Sequence, residues 1–122
     1  ELLIVVVIIG IIAAIAVPNL LASRRSANEG SAVAAMRTLH GAQMTYAASY
    51  GGGTYAGTLA DLGGAQLIDD VLGTGTKSGY TFVVTANAPS STAAATFSFS
   101  TVPTTTSGIT QTGSRNFCIS SS

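Results

Sequence analysis

Glu1-Leu2-Leu3-Ile4-Val5-Val6-Val7-Ile8-Ile9-Gly10-Ile11-Ile12-Ala13-Ala14-Ile15-Ala16-Val17-Pro18 opens the chain, and its reading decides the fold. Between Glu1 and Pro18 there is no charge and no polar side chain. Twelve of these residues are large aliphatics; Gly10, Ala13, Ala14 and Ala16 fill the rest. Burying one large aliphatic is worth roughly 1.5–3 kcal/mol, so twelve set an upper bound of about 20–35 kcal/mol. A chain of 122 residues holds one core. Such a core cannot cover an apolar rod on every side, so the rod is expected to lie in lipid or in a bundle of other copies. Counting on through Leu20, Leu21 and Ala22 gives the ~20 residues that cross a bilayer, with Pro18 and Asn19 included. A secretory signal peptide would want a basic stretch first, so the segment is expected to be retained. Glu1 is the odd residue: a carboxylate beside such a run either has a partner or marks the aqueous edge of a membrane helix. The pattern leaves both readings open.

Beyond Ala22 the environment changes. Ala32, Ala35, Met36, Leu39, Ala42, Tyr46 and Tyr50 recur at spacings of three and four and form one apolar stripe. Arg24, Arg25, Asn28, Glu29, Arg37, Thr38 and Thr45 are assigned mostly to the other face. The helix thus turns from apolar all round to amphipathic, and Gly51-Gly52-Gly53 ends it. Residues 51–79 read as a glycine-rich connection with short helical turns at residues 59–62 and 66–72. From Tyr80 the period becomes two. Tyr80, Phe82 and Val84, then Phe97 and Phe99, then Phe117 and Ile119 alternate with polar or small residues, giving three strands with one apolar face each. One apolar sheet face matches one helix stripe. The expected fold is therefore α+β: a long N-terminal helix whose apolar half protrudes and whose amphipathic half packs on a small antiparallel sheet. Its parts are the helix at 1–50 (apolar 1–22, amphipathic 23–50), the connection at 51–79 and the sheet at 80–122.

Composition narrows the function. Five basic and five acidic residues cancel, and charged residues make up 8% of the chain against about 25% in ordinary domains. That is too few for a phosphate-binding stripe, so no nucleic-acid site is expected. The single Cys118 excludes an internal disulfide and a thiolate zinc site, and it is expected to be packed or covered. His40 is the only imidazole, with no nucleophile elbow or metal-ligand pairing around it, so it reads as a helix-surface residue and the chain as no enzyme. Asp61, Asp69 and Asp70 lack calcium-loop spacing and read as solvated carboxylates, Asp61 helping to order a short turn. No metal or cofactor is expected. Tyr46, Tyr50 and Tyr55 suggest packing beneath the sheet and not electron transfer, because residues 1–45 contain no Phe, Tyr or Trp. Ser90, Ser91, Thr104, Thr105 and Thr106 follow prolines in hydroxyl-rich segments and are candidate O-glycosylation sites.

The opening segment, from Glu1 through Pro18-Asn19-Leu20, resembles the N-terminal segment of bacterial type IV pilins and of type II secretion pseudopilins. The match is dense over about residues 1–25; the remainder shares only the layout. The resemblance implies a leader removed by a prepilin peptidase, a methylated aromatic residue a few positions before Glu1, and residence in the inner membrane before assembly. Dedicated assembly machinery then builds an extracellular homopolymeric filament, used in adhesion, motility or DNA uptake. It also implies that Glu1 pairs with the N-terminal amine of a neighbouring subunit. Glu1, Gly10 and Pro18 are the assembly residues, and the stretch from Gly10 to Pro18 is expected to be non-helical in the filament. Major pseudopilins carry an acid-rich calcium loop near the C-terminus. Residues 71–122 contain neither Asp nor Glu, which favours a pilus over a secretion pseudopilus. The rival from another class is a membrane-anchored binding module that does not polymerise.

Overall fold

The computed structural model describes residues 1–121. One helix, α1 (Leu2–Ser49), dominates it. Its 48 residues extend about 72 Å at 1.5 Å per residue. Two short helices follow, α2 (Leu59–Gly64) and α3 (Asp70–Gly73), and then four strands: β1 (Thr76–Lys77), β2 (Tyr80–Asn87), β3 (Thr96–Pro103) and β4 (Phe117–Ser120). The strands form one antiparallel sheet in the order β1-β2-β3-β4. The architecture is the expected α+β layout, a long apolar helix whose upper half lies against a small antiparallel sheet.

The glycine triplet ends α1 as expected. Gly52 and Gly53 take φ of 56° and 95°, the left-handed region that side chains resist. The amides of Gly51 and Gly53 close on the carbonyls of Tyr46 and Ala47, satisfying the last turn. Asp61 orders α2 through a capping box: its backbone N–H donates to Thr58 Oγ1 at 3.1 Å and its carboxylate accepts from the Thr58 amide at 3.0 Å. The connection at 51–79 is more structured than a loop, because α2, α3 and β1 occupy much of it. Gln66 is not in a helix; its φ is 56°, and the second helical turn starts at Asp70.

β2 and β3 pair along their whole length, from Tyr80 opposite Pro103 to Asn87 opposite Thr96. In β3 burial alternates strictly, with Phe97, Phe99, Thr101 and Pro103 inward. Tyr80, Phe82, Phe97 and Phe99 meet Ala32, Ala35, Met36, Leu39 and Ala42 of α1, and Leu59, Leu62, Ile68 and Leu72 close the side. Phe97 stacks edge-on to both Tyr55 and Phe99. Two expectations for the helix stripe need correction. Tyr50 is 62% exposed: α1 ends at Ser49, and Tyr50, its C-cap, lies against the Tyr46 ring outside the core. Glu29, assigned to the polar face, is buried. Cys118 is also exposed and not packed: it opposes Ser100 on the outer sheet face, between the inward Phe117 and Ile119.

Candidate functional site

Residues 2–20 of α1 touch nothing else in the chain that buries them. Their large aliphatics are at least half exposed, from 50% at Val17 to 78% at Leu2. This half is long and apolar enough to cross a membrane. Its bare surface far exceeds the few hundred Å² of apolar patch that soluble monomers tolerate. Glu1 sits at the N-cap with no side-chain capping bond and is exposed. Gly10 lies mid-helix, where glycine costs about 1 kcal/mol relative to alanine. A Cβ placed there would meet nothing within 4 Å, so no contact inside the chain requires the glycine. Pro18 lies within α1, which runs unbroken through it in the single chain. A proline there withholds an N–H and frees a carbonyl one turn back, a tolerable loss in an otherwise uninterrupted helix. The opening expected between Gly10 and Pro18 concerns the filament.

The boundary between bare and seated helix is held by polar ties. Glu29, 7% exposed, accepts from the Ser114 amide at 3.0 Å and the Ser114 hydroxyl at 2.9 Å. Its other oxygen accepts from Arg115 Nε at 2.8 Å and lies 2.7 Å from Nη2. Asn28 Nδ2 donates to the Thr112 carbonyl at 3.0 Å, and Arg25 Nη2 to that of Gly108 at 3.3 Å. Ser31 and Ser78 hydroxyls meet at 2.9 Å. The Ser114 amide, then the Arg115 guanidinium, hold the Glu29 carboxyl down to about 2 against an ordinary 4.5, although burial opposes them. Burial and the Glu29 charge in turn raise the Tyr80 phenol. Tyr80 donates its hydroxyl to the Arg115 carbonyl at 3.1 Å. Gly113 is required there: a Cβ on it would collide with the Tyr80 hydroxyl. These ties fasten the segment between β3 and β4, and through Ser78 the β1–β2 turn, to the helix just above the apolar half.

The remaining candidates are dispersed. Ser90 and Ser91 lie in the β2–β3 connection, exposed, with Ser90 Oγ accepting from the Ala93 amide at 3.1 Å. Thr104, Thr105 and Thr106 lie beyond the opposite end of β3; Thr104 Oγ1 donates to the Gly79 carbonyl at 3.0 Å. Thr105 is half-buried, its amide donating to Thr112 Oγ1 at 3.2 Å, and Thr106 is exposed. His40 is half-buried, its ring 5.3 Å from that of Phe97. Asp69 pairs with Lys77 at 3.1 Å on the surface. Two buried polar side chains escaped the sequence reading, Glu29 and the fully buried Gln43, whose amide exchanges two hydrogen bonds with the Ala56 backbone at 2.9 and 2.8 Å. Both lie on the helical spacing of the apolar stripe, at 29-32-36 and 36-39-43, a signal visible once polarity is ignored.

Comparison of the chain with protein-family models, with curated proteins and with solved structures finds no match. The arrangement, a long apolar helix leaving a small helix-on-sheet head, is compatible with a pilin-like fold.

Proposed function

We propose that this chain is the structural subunit of a type IV pilus, polymerising through its apolar helix into an extracellular filament. The observation that carries the reading is the bare half of α1, whose large aliphatics are all at least half exposed beside a head with a closed core. Lipid and a bundle of like helices are similarly apolar. The helix therefore passes from inner membrane to filament core without facing water, and extension and retraction need no large hydrophobic penalty. Gly10 fits close approach by a neighbouring helix, and Glu1 supplies the single charge that sets register against a neighbour's amine. A prepilin peptidase and assembly machinery are the partners this requires. Electron microscopy of cells producing the chain tests the reading. Filaments that vanish when the chain is deleted support it. Secretion loss without surface filaments points to a pseudopilin, and membrane-bound monomer alone to an anchored binding module.

A further inference from the structure

Where α1 leaves the head, it and the segment after β3 enclose a cleft of about 270 Å³, lined by Leu21, Arg24, Asn28, Gly79, Ile109 and Thr112 among others. Its height along the helix is set by length. Residues 2–22 span about 32 Å, close to the ~30 Å of a bilayer's hydrocarbon. Leu21 then lies at the hydrocarbon edge. Arg24 and Arg25, the first charges after Glu1, fall within the next turn, at headgroup level. Beside them Ile109 is 79% exposed, on a segment tied to the helix by the Arg25–Gly108 and Asn28–Thr112 hydrogen bonds. An apolar tip held at that height, next to two guanidinium groups, has the composition of a membrane-contact surface. The one acid of residues 23–43, Glu29, is already occupied by Ser114 and Arg115, leaving Arg24 without an ion pair among the described residues. Arg25 Nε is buried without a hydrogen-bond partner among the described residues.

We infer that this cleft seats the headgroup of an anionic phospholipid before assembly. Arg24, which lines the cleft, donates to the phosphate through the planar fork of its guanidinium, and Ile109 dips among the first acyl carbons. The inference rests on the membrane stage of the proposed function. It makes the head stand on the bilayer through two supports, helix and loop, so that its tilt is fixed while it waits to be added to a filament. The β2–β3 connection points away. Phe97, at that end of the sheet, meets His40, whereas the Tyr80 end meets Arg115 beside Glu29.

The test uses the full chain with Cys118→Ser, reconstituted in vesicles of mixed phosphatidylcholine and phosphatidylglycerol. A fluorophore is placed in turn at Val7→Cys, Ser91→Cys and Ile109→Cys, and quenching by each lipid in acyl-brominated form is measured. Position 7 should be quenched equally by both lipids, position 91 by neither, and position 109 several-fold more by the anionic lipid. Arg24→Gln should reduce that preference about fivefold, and Arg24→Lys, which keeps the charge, should retain most of it. Arg24 is exposed and makes no ion pair among the described residues, so its single variant leaves the loop ties intact. Quenching at 7 but not at 109, or equal quenching at 109 by both lipids, overturns this inference alone. No quenching at 7 overturns it together with the membrane stage. Loss of the preference on adding millimolar inorganic phosphate overturns the lipid assignment in favour of a free-oxyanion site.

Discussion

Two halves of one helix show opposite relations between hydropathy and burial. Residues 2–20 hold almost nothing but aliphatic side chains and are bare, with Leu2 78% and Ile15 66% exposed. Residues 29–43 contain Glu29, Arg37, Thr38, His40 and Gln43 and carry the core, with Leu39 at 0%, Ala32 at 1% and Met36 at 3%. The upper half needs only a narrow stripe because one sheet covers one side of it. The lower half is apolar on all sides, and none of the described residues covers it. Hydropathy that the chain itself leaves unmatched describes the surroundings the chain needs from other molecules.

The sharpest way to break this comparison is to alter each half and ask which property fails. Glu1→Ala should leave the head folded and reduce filament yield by orders of magnitude. An amine stranded in an apolar core costs about 3–5 kcal/mol at every subunit. Normal filament yield would remove Glu1 from assembly. Phe99→Ala or Phe97→Ala should do the reverse, lowering head stability by about 3–5 kcal/mol in thermal melts of the full chain in detergent. Ile8→Ala, in the bare half, should leave the same melt within about 0.5 kcal/mol of the parent. Equal effects of the Phe and Ile changes would erase the distinction between the halves.

Much of that distinction was legible in the sequence. The uninterrupted run at residues 2–17 specified the bare half, and the stripe Ala32-Ala35-Met36-Leu39-Ala42 with the period of two at Tyr80-Phe82-Val84 specified the faces that meet. The features that bind the segment after β3 were not legible. Glu29 meets Ser114 and Arg115 across more than eighty residues, and no local pattern encodes a partner at that distance. Cys118 was misplaced for a related reason. Burial of cysteine is an average tendency, whereas the strict alternation Phe117-Cys118-Ile119 fixes its face, and the alternation was the better guide. β1, two residues long, carries no periodicity at all. For the proposed assembly site, Gly10 and Pro18 could be named from their chemistry, but the role proposed for them depends on neighbours that a single chain lacks.

Smaller effects sharpen the boundary between the halves. Glu29→Gln should cost about 2 kcal/mol, mainly through the charge-assisted bonds from Ser114. Arg115, its side chain 68% exposed, is rehydrated when the pair breaks, so the full penalty of a buried stranded charge does not apply. The same carboxyl sets an acid limit. Its folded pKa lies below its ordinary value, so its contribution is complete above about pH 4.5 and drains away as pH falls towards about 2. Melts of the parent should lose stability over that window, and Glu29→Gln should flatten the loss; an unchanged profile would remove Glu29 as its source. Gly10→Ala should raise helicity of the detergent-bound chain by about 1 kcal/mol in propensity while lowering filament yield, because the added methyl obstructs a neighbouring helix. Cys118→Ser, on the outer sheet face, should shift the melt by less than about 0.5 kcal/mol.

The most direct measurement is a cryo-electron microscopy reconstruction of whatever the cells assemble from this chain. The expected map shows a helical filament with residues 1–22 of every subunit bundled at its axis and the heads outside. Between Gly10 and Pro18 the backbone should rise by more than the 1.5 Å per residue of an α-helix, with helix above and below. A filament whose axis is built from heads, with the apolar helices turned outwards, would contradict the assembly role of the bare half, as would the absence of any filament from cells that hold the chain in their membrane.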